Sequence, residues 1–193
     1  MRPEAPTDRQ TVYALLTEHT KGENLIRHCL AVEAALRAYA RKYGEDEALW
    51  GAVGLIHDFD YEKHPSLEEH PMVGCGILRN LGWPETAIRA ILSHSDQSGV
   101  ARVSRLEKAL YAVDELTGFI TAVALVRPSR SLDDLSAKSV RKKMKTKAFA
   151  AAVDREQLLA GAAVLGEDFD AHVDFVIRAM RPIGSELGFE SQA

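Results

Sequence analysis

The chain contains few cysteines and no long apolar run, and each absence excludes a class of protein. Cys29 and Cys75 are the two cysteines among 193 residues, too few for a disulfide-stabilised secreted domain, so we expect two reduced thiols. No apolar stretch approaches the roughly 20 residues that span a bilayer, which argues against a transmembrane protein. The first ten residues lack the apolar segment of a secretory signal, and we expect a cytoplasmic protein.

The charge balance shows no excess of basic residues. The 24 Lys and Arg residues are outnumbered by 28 Asp and Glu residues, which gives a formal net charge of −4. This composition argues against a general nucleic-acid binder. Hydrophobic residues make up 46% of the chain, which suffices for a globular core and excludes intrinsic disorder over most of its length.

Strand-type alternation is also lacking, whereas apolar residues recur at helical spacing through most of the chain. Glycine, proline and capping residues mark where the helices begin and end. We therefore predict an all-α protein, a single domain over residues 1–193 whose C-terminal helices pack on the rest. After a loose tail at 1–10, the predicted helices cover residues 24–43, 47–58, 71–81, 84–94, 103–126, 155–165 and 168–187.

The most informative stretch is a small, apolar helix over residues 51–56 that runs directly into His57 and Asp58. Burying an imidazole beside a carboxylate is unfavourable unless something compensates for the lost hydration. A divalent metal ion would compensate, because both groups are good ligands for such ions. His28 and Asp114 lie on the apolar faces of two other predicted helices. These four residues are therefore predicted to enclose one ion.

Two further histidines, His70 and His94, stand at helix ends where they would hold a second ion. Taken singly, each histidine also fits a hydrogen-bonded core residue, and each aspartate fits a structural acceptor. The ordered set of six favours one or two divalent metal ions. Mixed imidazole and carboxylate ligation suits Mn, Fe, Co, Ni or Zn and does not exclude Mg.

The order of these residues resembles the HD-domain superfamily of metal-dependent phosphohydrolases. His28 resembles the first motif histidine, His57 and Asp58 the HD doublet, and Asp114 the final aspartate. The resemblance implies an HD-like helical bundle over about residues 20–127, followed by a helical extension over about 128–193.

A second part of the resemblance concerns the HDIG-type branch of that superfamily. His70 opens a His-Pro-x-x-Gly segment that ends at Gly74, and His94 resembles the later histidine of the branch. In that branch the two histidines complete a two-metal site, so the resemblance implies the same role here. Asp58 is expected to bridge the two ions because a carboxylate has two oxygens.

The implied reaction is hydrolysis of a phosphoester of a nucleotide or small phosphorylated metabolite by metal-activated water. The doublet is followed by residues 59–61, Phe-Asp-Tyr, instead of the Ile-Gly-Lys of the motif. Lys63 is the nearest substitute for that lysine, so Asp58 and Lys63 are the expected catalytic residues. His94 is not followed by a second histidine and the GYP signature, so cyclic-di-GMP phosphodiesterase activity is not expected.

A phosphorylated substrate also needs positively charged donors. Lys63, Arg102 and Arg141 are the predicted substrate-binding residues. Further candidates of equal weight are His64 after the doublet, Arg105 at the start of the long helix, and Arg127 and Arg130 after its end. Arg141 belongs to the segment 138–147, which has six positive residues and no acid. Its apolar residues at helical spacing indicate a short amphipathic helix whose charges either face solvent or bind an anion.

Two other functions stay open at this point. Some HD-fold proteins oxidise their substrates with O₂ at a di-iron pair, and the same six ligands resemble that arrangement. A regulatory module that binds a nucleotide without turnover is the other alternative. The expected partner is a small phosphorylated substrate or nucleotide, and a homodimer is compatible with the sequence.

Overall fold

A computed structural model describes residues 8–189, and over this range the chain is entirely helices and connecting segments, with no strand. The all-α prediction is therefore confirmed, and no helix in the range is both long and apolar enough to cross a bilayer. Short 3₁₀ turns cover Asp96–Ser98 and Arg181–Ile183. The helices are α1 (Arg9–His19), α2 (Glu23–Tyr43), α3 (Glu47–Ile56), α4 (Met72–Asn80), α5 (Glu85–His94), α6 (Arg105–Leu125), α7 (Ala137–Met144), α8 (Arg155–Leu165) and α9 (Phe169–Met180).

Local capping chemistry explains where several helices begin and end. The Asp46 carboxylate accepts a hydrogen bond from the Leu49 amide at 3.0 Å and so starts α3. Ser104 and Glu107 form a reciprocal capping box at the start of α6. Gly44 ends α2 in the left-handed conformation at φ 68°, as its position in the sequence indicates.

Three predicted boundaries were wrong. The tail predicted at 1–10 ends early, because α1 already begins at Arg9 behind an Asp8 cap; the rest of that tail, residues 1–7, lies outside the described residues. The last helix ends at Met180 instead of 187, because Pro182 has no N–H to continue the helical hydrogen bonds. Helix α3 ends at Ile56, so the HD doublet lies in the turn that follows it.

Helix α2 lies at the centre of the molecule and packs against α3, α6 and α9. The closest approach of α2 and α3 is at Gly54, where an added Cβ would lie 2.9 Å from the Cα and N atoms of Glu33. No side chain fits between the two backbones at this point. The close crossing holds the end of α3, with His57, against the helix that carries His28.

The C-terminal helices α8 and α9 pack on helices that precede them in the chain. Helix α8 crosses α6 closely at Gly161, where a Cβ would lie 2.8 Å from the Cα of Ala112. Helix α9 packs on α2 through His172, which is fully buried and accepts a hydrogen bond from the Tyr39 hydroxyl. Buried apolar residues from Val12 to Phe189 belong to one core cluster. The division of the chain into domains stays a prediction.

The buried His172 makes the fold sensitive to acid. Its Nε2–H donates to the Ala112 carbonyl at 3.0 Å while its Nδ1 accepts from Tyr39, so the ring is neutral. Burial lowers the pKa of His172, because a charged ring would lose its hydration. The unfolded chain then binds more protons below about pH 6.5, so the full stability is present above that pH and is lost as the pH falls.

We therefore expect the free energy of unfolding to fall on acidification from pH 7 to pH 5, and to fall less steeply in His172→Gln. The slopes should differ by up to about 1.4 kcal/mol per pH unit, the value for one proton. Urea unfolding of both proteins at a series of pH values in the presence of a chelator measures the difference, since the other histidines contribute equally to both. Parallel curves would contradict a neutral, buried His172.

The basic segment 138–147 contains the short amphipathic helix that its spacing predicts. Helix α7 buries Val140 fully and rests Met144 against the core. Arg141 is exposed and pairs with Asp170 of α9 at 2.6 Å. Four lysines of the segment are exposed: Lys138, Lys142, Lys145 and Lys147.

Candidate metal centre

Six side chains predicted as metal ligands converge at one place, although they come from five separate stretches of the chain. The first lies on α2, two lie just after the end of α3, and one precedes α4. The last two are the final residue of α5 and a residue in the middle of α6. In chain order they are His28, His57, Asp58, His70, His94 and Asp114.

One half of the cluster is formed by two histidines and the α6 aspartate. The Oδ1 atom of Asp114 lies 3.0 Å from Nε2 of His28 and 3.4 Å from Nε2 of His57. The three ligand atoms all lie within 4.8 Å of one another. This trio can share one metal ion.

The other half surrounds Asp58. Its Oδ1 atom lies 3.3 Å from Nε2 of His70 and 3.4 Å from Nε2 of His94, a second trio with metal-ligand spacing. The same Oδ1 is also 3.4 Å from Nε2 of His57, and Oδ2 is 3.8 Å from Nε2 of His28. Asp58 therefore contacts both halves, which is the position that a bridging ligand requires.

The residues present fit a metal ion. Nε2 of His57 and Oδ1 of Asp58 are buried and have no hydrogen-bond partner among residues 8–189. Orphaned buried polar atoms are rare, and a metal ion is one of the few partners that satisfies an imidazole nitrogen and a carboxylate oxygen together. Two ligands about 2.1 Å from one ion and at right angles to each other lie about 3 Å apart. The shortest contacts in the cluster have this spacing.

Backbone carbonyls orient two of the imidazoles toward the centre. Nδ1–H of His57 donates to the Gly54 carbonyl at 2.8 Å, and Nδ1–H of His94 donates to the Ile91 carbonyl. Each ring is thereby fixed as the tautomer whose Nε2 carries a free lone pair. Such second partners orient metal-binding histidines and raise their basicity.

A buried aspartate that the sequence analysis did not assign to the site orients the third imidazole. Asp60 is 1% exposed and accepts hydrogen bonds from Nδ1 of His70 at 2.8 Å and from the Gly74 amide at 2.7 Å. A Cβ at Gly74 would lie 2.7 Å from the Asp60 carboxylate, so this glycine leaves room for it. The sequence feature that could have pointed to Asp60 is its position, as a second acidic residue two positions after Asp58.

The electrostatics of the cluster favour a bound cation. Burial alone would raise the pKa of Asp58, but the imidazoles of His57, His70 and His94 outweigh burial and hold that pKa well below its usual value. The pKa of Asp114 is lowered in the same way, by His28 and His57 against burial. Both carboxylates are therefore anions, the state in which they bind metal.

A cavity of about 440 Å³ opens in front of the cluster. None of its lining residues within 8–189 is Lys or Arg, so the wall offers no fixed positive charge. Besides every metal ligand except His57, the lining includes the aromatic ring of Tyr61 and a mainly polar rim. The remaining lining residues are Leu67, Ser95, Asp96, Gln97, Glu115, Gly118 and Gln157.

The three cations predicted to bind substrate do not line this cavity. Lys63 is exposed in the turn after the doublet. Arg141, on α7, forms an ion pair with Asp170 of α9. Arg102 pairs with Asp96, which lines the cavity, and its guanidinium stacks on the Tyr111 ring. Their roles, including the catalytic role assigned to Lys63, stay predictions.

The centre of this helical bundle gathers four imidazoles and two carboxylates before an open cavity, which defines a helical domain with side chains that could hold metal. Comparison with known proteins agrees, since residues 25–118 match the HD domain family and form an HD domain. This range lies within the core predicted at about 20–127.

Curated relatives match part of the chain. It is 28% identical over 115 residues to Ribonuclease Y from each of two strains of Thermus thermophilus. That alignment covers 59% of this chain but 18% of each relative, so the chain spans less than a fifth of their length. No solved structure matches the chain.

Proposed function

We propose that this protein is a metal-dependent phosphohydrolase that hydrolyses a phosphoester of a nucleotide or small phosphorylated metabolite. The observation that carries the proposal is the convergence of six ligand-type side chains, with Asp58 in contact with four histidines, beside an open cavity. HD domains belong to a superfamily that is generally hydrolytic and metal-dependent. The relatives' name, Ribonuclease Y, denotes an enzyme that acts on RNA, whose linkages are phosphoesters of nucleotides.

In this proposal His28, His57 and Asp114 would hold one ion, His70 and His94 would hold a second, and Asp58 would contribute to both. Bound divalent ions would lower the pKa of a water molecule and neutralise charge on a phosphoryl group. We thus propose that the protein binds two ions, as in the HDIG-type branch.

The other side chains have supporting tasks. Asp60 holds the His70 ring in the orientation that presents Nε2 to the centre. No Lys or Arg within residues 8–189 lines the cavity, so bound metal ions would have to neutralise the charge of the scissile phosphate. Tyr61 offers an aromatic face, and Gln97 and Gln157 offer amide groups, to the part of the substrate that leaves.

The test is metal-dependent phosphate release. Protein stripped with a chelator is loaded separately with Mn, Fe, Co, Ni, Zn and Mg, and phosphate release is followed from p-nitrophenyl phosphate and a panel of nucleotides. We expect no release without metal and release with at least one ion, unchanged when O₂ is excluded. Consumption of O₂ without phosphate release would favour the di-iron oxygenase, and nucleotide binding without turnover would favour the regulatory module.

A further inference from the structure

Gly118 has no packing reason to be glycine. It lies inside α6, one helical turn after Asp114, and a Cβ built there would meet no atom within 4 Å. Glycine in a helix interior destabilises the helix relative to alanine. Gly54, Gly74 and Gly161 are each explained by a close contact. The space in front of Gly118 is open, as it is at Gly76, but Gly118 also lines the cavity in front of the metal centre.

That open space is where two cavities adjoin. The cavity in front of the metal centre and a second cavity of about 420 Å³ are both lined by Gly118 and His28. A ligand that extends from the metal centre into the second cavity would therefore pass over Gly118, where a methyl group would intrude.

The second cavity offers the positive charge that the first one lacks. Arg27 and Arg130 line it, together with the polar side chains of Asn24 and Thr121. Arg130 has no carboxylate within 4.0 Å among the described residues, and its backbone is left-handed at φ 43°. Such a conformation is unfavourable for arginine and is found where the surroundings impose it, often at ligand sites.

Arg27, on α2, is held in place by two neighbouring residues. Its guanidinium lies on Gly188, where a Cβ would be 3.0 Å from the Arg27 Cζ atom. It also pairs with Glu23 through Nη2 at 3.0 Å. Two guanidinium groups at one cavity suit a phosphate group, which accepts several hydrogen bonds from such donors.

We propose that the second cavity binds a second phosphate group of the substrate, and that Gly118 is the specificity-determining residue over which the substrate lies. This inference rests on the proposed function and narrows its substrate class to phosphoesters that carry two phosphates. The six ligand-type side chains and the ions they would hold face the scissile phosphate, and Arg27 and Arg130 bind the other phosphate.

The first experiment measures binding by calorimetry, with metal-loaded protein and two probes. We expect adenosine 3′,5′-bisphosphate to bind about tenfold more tightly than adenosine 5′-monophosphate, the gain typical of one charged hydrogen bond. Arg130→Gln should abolish this preference. Arg178→Gln should keep the preference for the bisphosphate. Arg178 is the matched control because it is exposed, lies outside both cavities and has no carboxylate within 4.0 Å in the described part of the chain.

The second experiment separates substrate contact from structure. Gly118→Ala should raise Tm by about 2–4 °C, because alanine favours the helix, yet weaken bisphosphate binding about tenfold. Gly76→Ala is the matched control, since a Cβ there also meets open space but lies on neither cavity. It should raise Tm similarly and leave binding unchanged.

Equal binding of the two probes, no binding of either, or equal affinities in Gly118→Ala and Gly76→Ala would overturn the inference. Failure of the proposed function would give a different result. In that case the bisphosphate preference and its loss in Arg130→Gln persist, but no phosphate is released with any metal.

Discussion

Asp58→Asn should lose bound metal and reduce phosphohydrolase activity by at least about 1,000-fold. The substitution keeps the shape of the side chain but removes the charge of the one ligand that contacts both halves of the cluster. Bound metal stabilises the transition state by several kcal/mol, and each 1.36 kcal/mol corresponds to a tenfold change in rate. Elemental analysis of metal per chain, together with kcat at saturating substrate, measures both effects.

Asp60→Asn is the matched control for that experiment, because it changes the neighbouring buried carboxylate that acts through His70. We expect its metal affinity to fall about 10–100-fold, so that added metal restores activity. Asp58→Asn should not recover with added metal. Full metal content in Asp58→Asn would show that the centre is assigned to the wrong residues.

Gly54→Val should destabilise the fold by about 3 kcal/mol or more. The new side chain would have to occupy the space of the Glu33 backbone at 2.9 Å, and helix α2 cannot move away without opening the core. Glu33 is itself buried and pairs with Arg9 and Arg37 at 2.9 Å, so a shift of α2 would also disturb two ion pairs. Urea unfolding followed by circular dichroism measures the loss.

Gly76→Val makes the corresponding change in a helix where the Cβ position is open. Its free energy of unfolding should stay within about 0.5 kcal/mol of the unsubstituted protein, as is usual for surface changes. A Gly54→Val protein as stable as Gly76→Val would mean that the two backbones do not approach as closely as described.

The sequence carried enough information for the helical class and for the convergence of the six ligands. His28 and Asp114 could be assigned because a titratable side chain on an apolar helix face needs a partner. The HD doublet stood out because it follows an unbroken apolar run. The structure brings these residues within contact distance, while their binding of metal stays a prediction.

The parts that were not predicted depend on contacts between distant stretches of chain. Asp60 is recognisable only beside His70 and Gly74, which lie beyond an irregular loop. Gly118 looks like any helix glycine until the structure shows that a Cβ there would face the open space of a cavity. Gln157 reaches the cavity from α8, outside the matched domain. The local sequence also does not predict where a loop side chain such as Lys63 points.

The separation of the ligands along the chain has a consequence for how the protein folds. His28 and Asp114 are 86 residues apart, so an unfolded chain offers no preformed metal site. Binding of the proposed ion would therefore follow assembly of α2, α3 and α6 and would not direct their early formation. A bound ion would then stabilise the folded state, by about 2.7 kcal/mol when its free concentration is 100 times Kd. Cellular metal supply would thereby set the lifetime of the folded protein as well as its activity.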